Sequence, residues 1–417
     1  MGWTIADQLV IYNEILAPGV MSLIQSQSKL LDRFKKSWDT IDHHGKYARQ
    51  RIAMSGSQAF GAKSNATYPT GQESSSTEAL IRVKRWEMLS MAFDGLSLEL
   101  AEKGGAPVDP QDFEQEELFK GLADDMSRQL MGDGSGIIAF STGGGTTATL
   151  PIDHPLYASP GTLFFNVGRV LDSHAITTHT QEINSTAVLT VDSGSQLTLA
   201  ASQTFTDNTE IHSEDSYAAT EAVGTGEIMG VTGIVRETDP PYPNASAGLQ
   251  GILVSSYPLW KAKLYANGGT DRAFDQNLIT KALQERERYG KITVLLCTEA
   301  ITRIWNKYLE TYKTMGATPK AMWGGWVAAP FYYNGREIPL VSDLYVPDGE
   351  IMGLADDEFT IHLVNKSWIT WEKVGGEILQ KVAGQNSYVS EGHIFGNLGV
   401  RNRRPHFRIQ DIDETGV

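Results

Sequence analysis

The sequence predicts an α+β protein with segregated helices and strands, and three observations lead there. Runs alternating every second residue lie in blocks apart from runs recurring every third or fourth residue. No stretch repeats with a fixed period of about 20 to 50 residues, which removes solenoids and propellers. A hydrophobic content of 41% over 417 residues suffices for more than one compact core.

Residues 1–46 carry Ile5, Leu9, Val10, Ile15 and Leu16, then Met21, Leu23, Ile24, Leu30, Leu31 and Phe34, broken at Pro18-Gly19. That spacing predicts two short amphipathic segments forming an arm. From Tyr47 to Thr77 the chain is rich in Gly, Ser, Ala and Gln, punctuated by Gly56, Gly61, Pro69 and Gly71. Such a segment cannot bury enough apolar surface to make its own core. It leads into Glu78–Phe93, where Leu80, Arg82, Lys84 and Trp86 alternate with Ile81, Val83 and Arg85. An extended hairpin explains both halves.

The clearest helix spans 109–131, with Asp109 as N-cap, Pro110 at the first helical position and Gly132 beyond its end. Leu118, Leu122, Met126 and Leu130, joined by Phe119 and Ala123, form one apolar stripe. From about 151 to 227 the composition shifts to Thr, Ser, Val and Leu. Strands are expected at Thr162–Val167, Thr186–Val191 and Gln196–Ala200, the last two joined by an Asp192-Ser193-Gly194 turn. This reads as an inserted small β module. Then come a helix at Gln276–Tyr289, a buried strand at Ile292–Cys297 and a Thr298-capped helix to about Leu309. The last third predicts strands at Phe331–Leu340 around Asn334-Gly335, at Ile351–Leu354, at Phe359–Thr370 and near Phe407–Ile412.

Chemistry is hard to find in this sequence. A formal charge of -15 repels phosphate and argues against a dedicated nucleic-acid reader. The single Cys297 excludes an intramolecular disulfide and fits a reducing compartment, and its place ending an apolar strand makes it inert. No signal peptide is expected, because Asp7 and Asn13 interrupt the first apolar positions, and no apolar run approaches the roughly 18 residues that span a bilayer. The glycine runs at 132–136 and 143–145 lack a P-loop's Lys-Ser/Thr ending. His43 and His44 are adjacent and so cannot share a helical face, and the scattered histidines read as surface residues. Asp124-Asp125 and Asp356-Asp357 stand outside any calcium ladder and read as solvated faces, and no Ser lies in a Gly-x-Ser-x-Gly elbow. Lys29, Arg33, Lys35, Lys36, Lys46, Arg49 and Arg51 cluster near the arm among Asp32, Asp39 and Asp42, so ordinary salt bridges are expected there. No catalytic residue, cofactor or metal is expected.

The order of pieces carries a resemblance: an arm, a long Gly/Ser-rich loop returning as a strand, a capped helix ending in GDGSG, an α/β region and a strand-rich tail. Added to it are LLCTEAITRIW at 295–305, NGREIPLVSD at 334–343 and VPDGE at 346–350. Together they resemble the major capsid protein of tailed bacteriophages, of the Hong Kong ninety-seven type shared with herpesvirus shells and encapsulins. The resemblance implies an N-terminal arm at 1–46, an extended loop at 47–86 and a peripheral domain at 87–150 and 359–395 with its spine helix at 109–131. It further implies an inserted β domain at 151–227 and an axial domain at 228–358 and 396–417.

The implied function is a non-enzymatic shell subunit that assembles with itself into hexamers and pentamers and encloses packaged double-stranded DNA, which it touches non-specifically. A portal, a separate scaffolding protein and a decoration protein are the further partners implied; no membrane is. The implied location is the virion, assembled in the host cytoplasm. The residues implied in assembly are Arg49, Arg51, Gly56, Gly61, Lys63 and Gly71, and Lys63 with Asn386 is the pair that an inter-subunit cross-link would join. Two alternatives stay open: an encapsulin-like compartment around a cargo enzyme, and a soluble enzyme with a site in 228–345.

Overall fold

The computed structural model describes residues 29–37, 47–56, 59–60, 74–96, 110–154, 161–162, 164–217, 226–241, 247–311, 329–366, 368–374, 376 and 378–415. A short helix α1 (Lys29–Arg33) opens them. Two six-stranded sheets, a two-stranded hairpin and a closed barrel account for the strands.

The first sheet is built on β19 (Ser387–Val400), which pairs antiparallel with β4 (Lys84–Asp94) from Ser387↔Asp94 to Gly396↔Lys84. On its other side β16 (Phe359–Leu363) pairs antiparallel, and β1 (Lys35–Ser37) adds in parallel at the edge. The short strands β17 (Thr370–Trp371) and β18 (Gln380–Lys381) complete it. Along β4, Trp86, Leu89, Met91 and Phe93 are buried while Ser90, Ala92 and Asp94 are exposed, the period of a half-buried strand. Helix α2 (Pro110–Met131) packs against β4, and its Phe119, Leu122, Ala123, Met126 and Leu130 lie in the same core as Trp86 and Leu89. The helix stops where the Gly132 N–H bonds back to Arg128 O (2.9 Å) and Gln129 O (3.1 Å). Gly134 (φ 82°) and Gly136 (φ 75°) then turn the chain away through backbone angles that side chains disfavour.

The turn leads into the barrel. Its strands are β5 (Ile137–Ser141), β6 (Gly145–Asp153), β7 (Val170–His174), β8 (Gln181–Ser193), β9 (Gln196–Phe205) and β10 (Glu210–Ser213), closed in the order β10-β5-β6-β9-β8-β7. Thus β5, and β6 from Gly145 onward, belong to the barrel although they start before Pro151. The expected strand at Thr162–Val167 is instead a pair of turns, with Phe165 N bonded to Thr162 O and Arg169 N to Asn166 O. The reason lies in consecutive aromatics: Phe165 enters the barrel core with Leu150, Leu171, Ile183 and Leu197, while Phe164 stacks on Tyr345 at 6.1 Å.

The second sheet has the order β11-β20-β15-β12-β14-β13, made of β11 (Lys263–Tyr265), β12 (Val294–Cys297), β13 (Ala329–Tyr333), β14 (Arg336–Ser342), β15 (Ile351–Leu354) and β20 (Phe407–Ile409). Asn334 (φ 47°) and Gly335 (φ 73°) form the hairpin turn between β13 and β14, as their sequence foretells. All four residues of β12 are buried because the strand is covered on both faces: Val294 and Leu296 join the core under α2, Leu295 and Cys297 a second core. Helix α4 (Gln276–Arg286) starts at Asp275, whose side chain accepts from Asn277 N; helix α5 (Glu299–Thr311) follows Thr298, whose hydroxyl accepts from Ile301 N. Ile279, Leu283, Ile301 and Trp305 of these helices fill the second core. Helix α3 (Val231–Ile234), wholly buried, packs on the end of α2.

The strand expected over Phe359–Thr370 is broken into β16 and β17. Trp368 and Ile369 are both buried, which period-two alternation forbids, and Trp368 meets Trp86 at 5.7 Å.

Candidate assembly surface

Strands β2 (Tyr47–Ser55) and β3 (Ser75–Arg82) form the extended hairpin, in register from Tyr47↔Arg82 to Ser55↔Ser75. One face is buried: Ala48, Ile52 and Met54 of β2, with Ala79 and Ile81 of β3. Two polar contacts tie the paired strands to the body, and a third anchors Gln250, which makes one of them. Leu80 N donates to Gln250 O at 2.9 Å, Arg404 Nη2 donates to Met54 O at 2.7 Å, and the side-chain amide of Gln250 bonds both the N–H and C=O of Val400. Ile81 also reaches over Gly399, where a Cβ would fall 2.4 Å from Ile81 Cδ1.

The opposite face is exposed and basic. Arg49 and Glu78 form a loose pair at 3.7 Å, both about half exposed, and Arg51 Nε donates to Ser76 Oγ at 3.2 Å. Gly56 follows β2 with open space around it. Gly61, Lys63 and Gly71 lie outside the described residues. Asn386 is exposed in the turn before β19, packs against Gly95 and accepts the Gly95 N–H at 2.8 Å. Its pairing with Lys63 therefore stays an expectation.

A buried ionic seam, absent from the sequence reading, joins α2, β4, the barrel and the strand-like segment before α3. Arg128 holds Glu227 with Nη2 at 2.5 Å and Nη1 at 3.1 Å, and holds Asp125 through Nε at 3.2 Å. Arg169, at the start of the barrel's β7, donates to Asp125 Oδ1 at 2.8 Å. Gln129 bridges Asp125 and Glu87 at 2.7 Å each. Burial opposes ionisation of Asp125, but Arg128 and Arg169 outweigh it and hold its carboxyl well below the usual range. Burial, with the Asp125 and Glu227 carboxylates close by, pushes Glu87 well above the usual carboxylate range. The visible signal was Asp125, Arg128 and Gln129 at i, i+3 and i+4 on one face of the helix. A cavity of about 210 Å³ borders the seam, lined by Arg128, Asp133, Ser135, His154, Phe164 and Thr232 among others.

Two expectations need correcting. Histidines were expected at the surface, yet His154, His174, His212, His362 and His406 are all buried. They serve as packing: His174 stacks on Tyr217 at 3.9 Å, and His406 Nδ1 accepts from Ala355 N at 3.2 Å. The acidic pairs are not merely solvated either: Asp125 belongs to the seam, and Asp356 takes both Nε and Nη2 of Arg33, at 2.8 and 2.5 Å. In that contact and in Arg49–Glu78 two of the clustered cations pair with acids outside the cluster, while Asp39 and Asp42 lie outside the described residues. Cys297 is buried. Among the described residues no group of three or more His, Cys, Asp or Glu side chains is placed to hold a metal.

A hairpin clamped by one face, a long helix on a β19-centred sheet and a second sheet with two helices form an arrangement met in solved shells. The capsid asymmetric unit of cyanophage A-1(L) is similar at TM-score 0.50 and 12% identity, over 94% of this chain and 92% of that chain. The chain has the phage capsid fold. The capsid of Myoviridae phage XM1 matches at TM-score 0.43 and 8% identity, over 93% and 92% of the two chains. The holo-SrpI encapsulin of Synechococcus elongatus matches at 0.42 and 8%, over 93% and 88%. No protein-family profile and no curated protein matches the sequence. In this fold the hairpin leaves one face exposed, and the barrel lies in sequence between the long helix and α3.

Proposed function

We propose that the chain is a major capsid protein: a structural subunit that assembles with itself into hexamers and pentamers and encloses packaged double-stranded DNA in a phage head. The likeness to the cyanophage capsid along almost the whole chain carries this reading. The hairpin supports it. Ordering costs on the order of 1–2 kcal/mol per residue, and residues 56–71 contain few large apolar side chains to offset that within one subunit. A neighbouring copy laid against Arg49, Arg51 and the loop beyond Gly56 supplies the missing surface.

Repetition of such a contact around a rotation axis closes rings, and many weak contacts together make a stable shell. On this reading the sheet around β19 with α2 is the peripheral domain, the sheet around β12 is the axial domain, and the particle is the virion. Lys63 and Asn386 remain candidates for a covalent link between subunits. A portal, a scaffolding protein and a decoration protein are the partners such a head would need.

Negative-stain microscopy and light scattering on the purified chain test this directly. Closed particles of uniform size are expected; monomers and dimers under every assembly condition would overturn it, and particles filled with a protein cargo would replace the virus by a cargo compartment.

A further inference from the structure

Six of the chain's 35 lysines and arginines fall in two short runs, Arg286, Arg288 and Lys291 in one, Arg401, Arg403 and Arg404 in the other. The fold places the runs side by side. Asn402 Nδ2 donates to Tyr289 O at 3.0 Å, and Gly290 lies against Pro405, where a Cβ would come within 3.0 Å of the proline Cβ. The result is a basic seam on a subunit whose net charge is -15.

The seam's own acids are turned elsewhere. Glu285 accepts from Tyr265 OH at 2.6 Å, and Glu287 accepts from Arg336 Nη2 at 2.6 Å and Tyr333 OH at 3.1 Å. Arg403 is spent internally on the carbonyls of Ile234, Trp260 and Thr238. The rest face outward to differing degrees. Arg288 and Lys291 are exposed and have no ion pair among the described residues. Arg401 is 59% exposed, although it shares Glu358 at 2.9 Å. Arg286 and Arg288 lie 5.2 and 5.1 Å from the ring centre of Tyr289, so two guanidiniums are held on one aromatic platform.

We propose that this seam binds the phosphate backbone of nucleic acid, with Arg288, Lys291 and Arg401 as the contacting cations and Tyr289 holding the arginine forks in place. Phosphodiester chains bring charge at regular short intervals and suit cations spaced along a line. Arginine forks match phosphate oxygens, and none of these groups reads a base, so binding is independent of sequence. A single subunit, acidic overall, binds weakly; a shell lined with copies binds through many seams at once. Naming packaged double-stranded DNA as the polyanion rests on the capsid reading, and places this seam on the inner wall.

The test is fluorescence anisotropy of a short random-sequence duplex DNA with the full chain, titrated with salt between about 50 and 200 mM. With three phosphates neutralised, the logarithm of affinity is expected to fall with the logarithm of salt at a slope of about -3. Arg288→Gln is expected to lower that slope by about one, and Arg288→Glu with Lys291→Glu to cost at least about tenfold at the lowest salt. Unchanged binding by the double variant would overturn the proposal. So would unchanged DNA affinity together with lost particle assembly, since the seam would then hold another copy of the chain. Seam-dependent DNA binding by a wild-type chain that never forms particles would support the seam and remove the capsid reading alone.

Discussion

Arg128 grips Glu227 with two nitrogens across 99 residues of sequence, and both side chains are less than a tenth exposed. Buried pairs of this kind gain little over an apolar replacement, but removing one partner strands the other. Arg128→Met is expected to lose about 3–5 kcal/mol of stability in urea unfolding. Adding Glu227→Leu should restore at least half, because Asp125 keeps Arg169; a double variant no more stable than the single would show that the charge was not the reason.

Gly230 sits under the carbonyls that end α2. A Cβ there would fall 2.3 Å from Gly132 O, 2.4 Å from Gln129 O and 2.7 Å from Leu130 O, all backbone atoms. Gly230→Ala should cost about 3 kcal/mol, the upper part of the overpacking range, read as a lowered urea midpoint. A midpoint unchanged from wild type would mean that α3 can shift freely against α2.

His406 is fully buried, and burial holds its imidazole down to about 3. An unfolded histidine titrates near about 6.5, so as pH falls below that value the unfolded chain takes up a proton that the folded one refuses. The stabilising contribution is complete above about 6.5 and declines toward about 3. His154 and His362, each held to about 4 by burial, act in the same sense. Glu87 and Glu350, pushed up by burial, act in the opposite sense. His406→Asn keeps an acceptor for the Ala355 N–H and should narrow the stability loss between pH 7 and 5 by about 2 kcal/mol. An identical loss in the variant would assign acid sensitivity elsewhere.

Cys297 lies in β12 with both faces covered. A thiol reagent is expected to label it at the rate of global unfolding, rising with urea, and not in a fast phase on the native chain. Rapid native labelling would show that the second sheet opens locally.

Deleting Gly56 through Gly71 should leave circular dichroism and thermal unfolding near wild type while abolishing particles, since the contacts that tie the strands to the body at Met54 and Leu80 are retained. Particles of normal yield from the deletion would remove the hairpin from the assembly account.

Local chemistry was legible. The apolar stripe of α2, the Asn334-Gly335 turn and the span of β15 follow from near neighbours in sequence, while the expected cap Asp109 lies outside the described residues. The 14-residue β19 was not, although it is the axis of the first sheet. It carries Gly392, Gly396 and Gly399, and at Gly396 a Cβ would meet His362 O at 2.7 Å and at Gly399 Ile81 at 2.4 Å. Glycine marks close approach there, which only the partner strand reveals. The ionic seam was hidden for a related reason: its members come from four distant segments. Of the residues proposed for assembly, Arg49 and Arg51 fall on the exposed face of β2 and Gly56 at its exit; the sequence, read there as a Gly/Ser-rich loop, did not show that β2 starts at Tyr47.

The barrel closes by pairing its first strand with its last, so that Ile137 and His212 lie opposite one another. Its doorway is therefore a single strand-width wide, and its interior has its own core. A module attached this way packs largely on itself and meets the body through a few side chains, among them Arg169 on Asp125 and Phe164 on Tyr345. Changes to its core would thus alter the barrel without touching the cores of the two sheets.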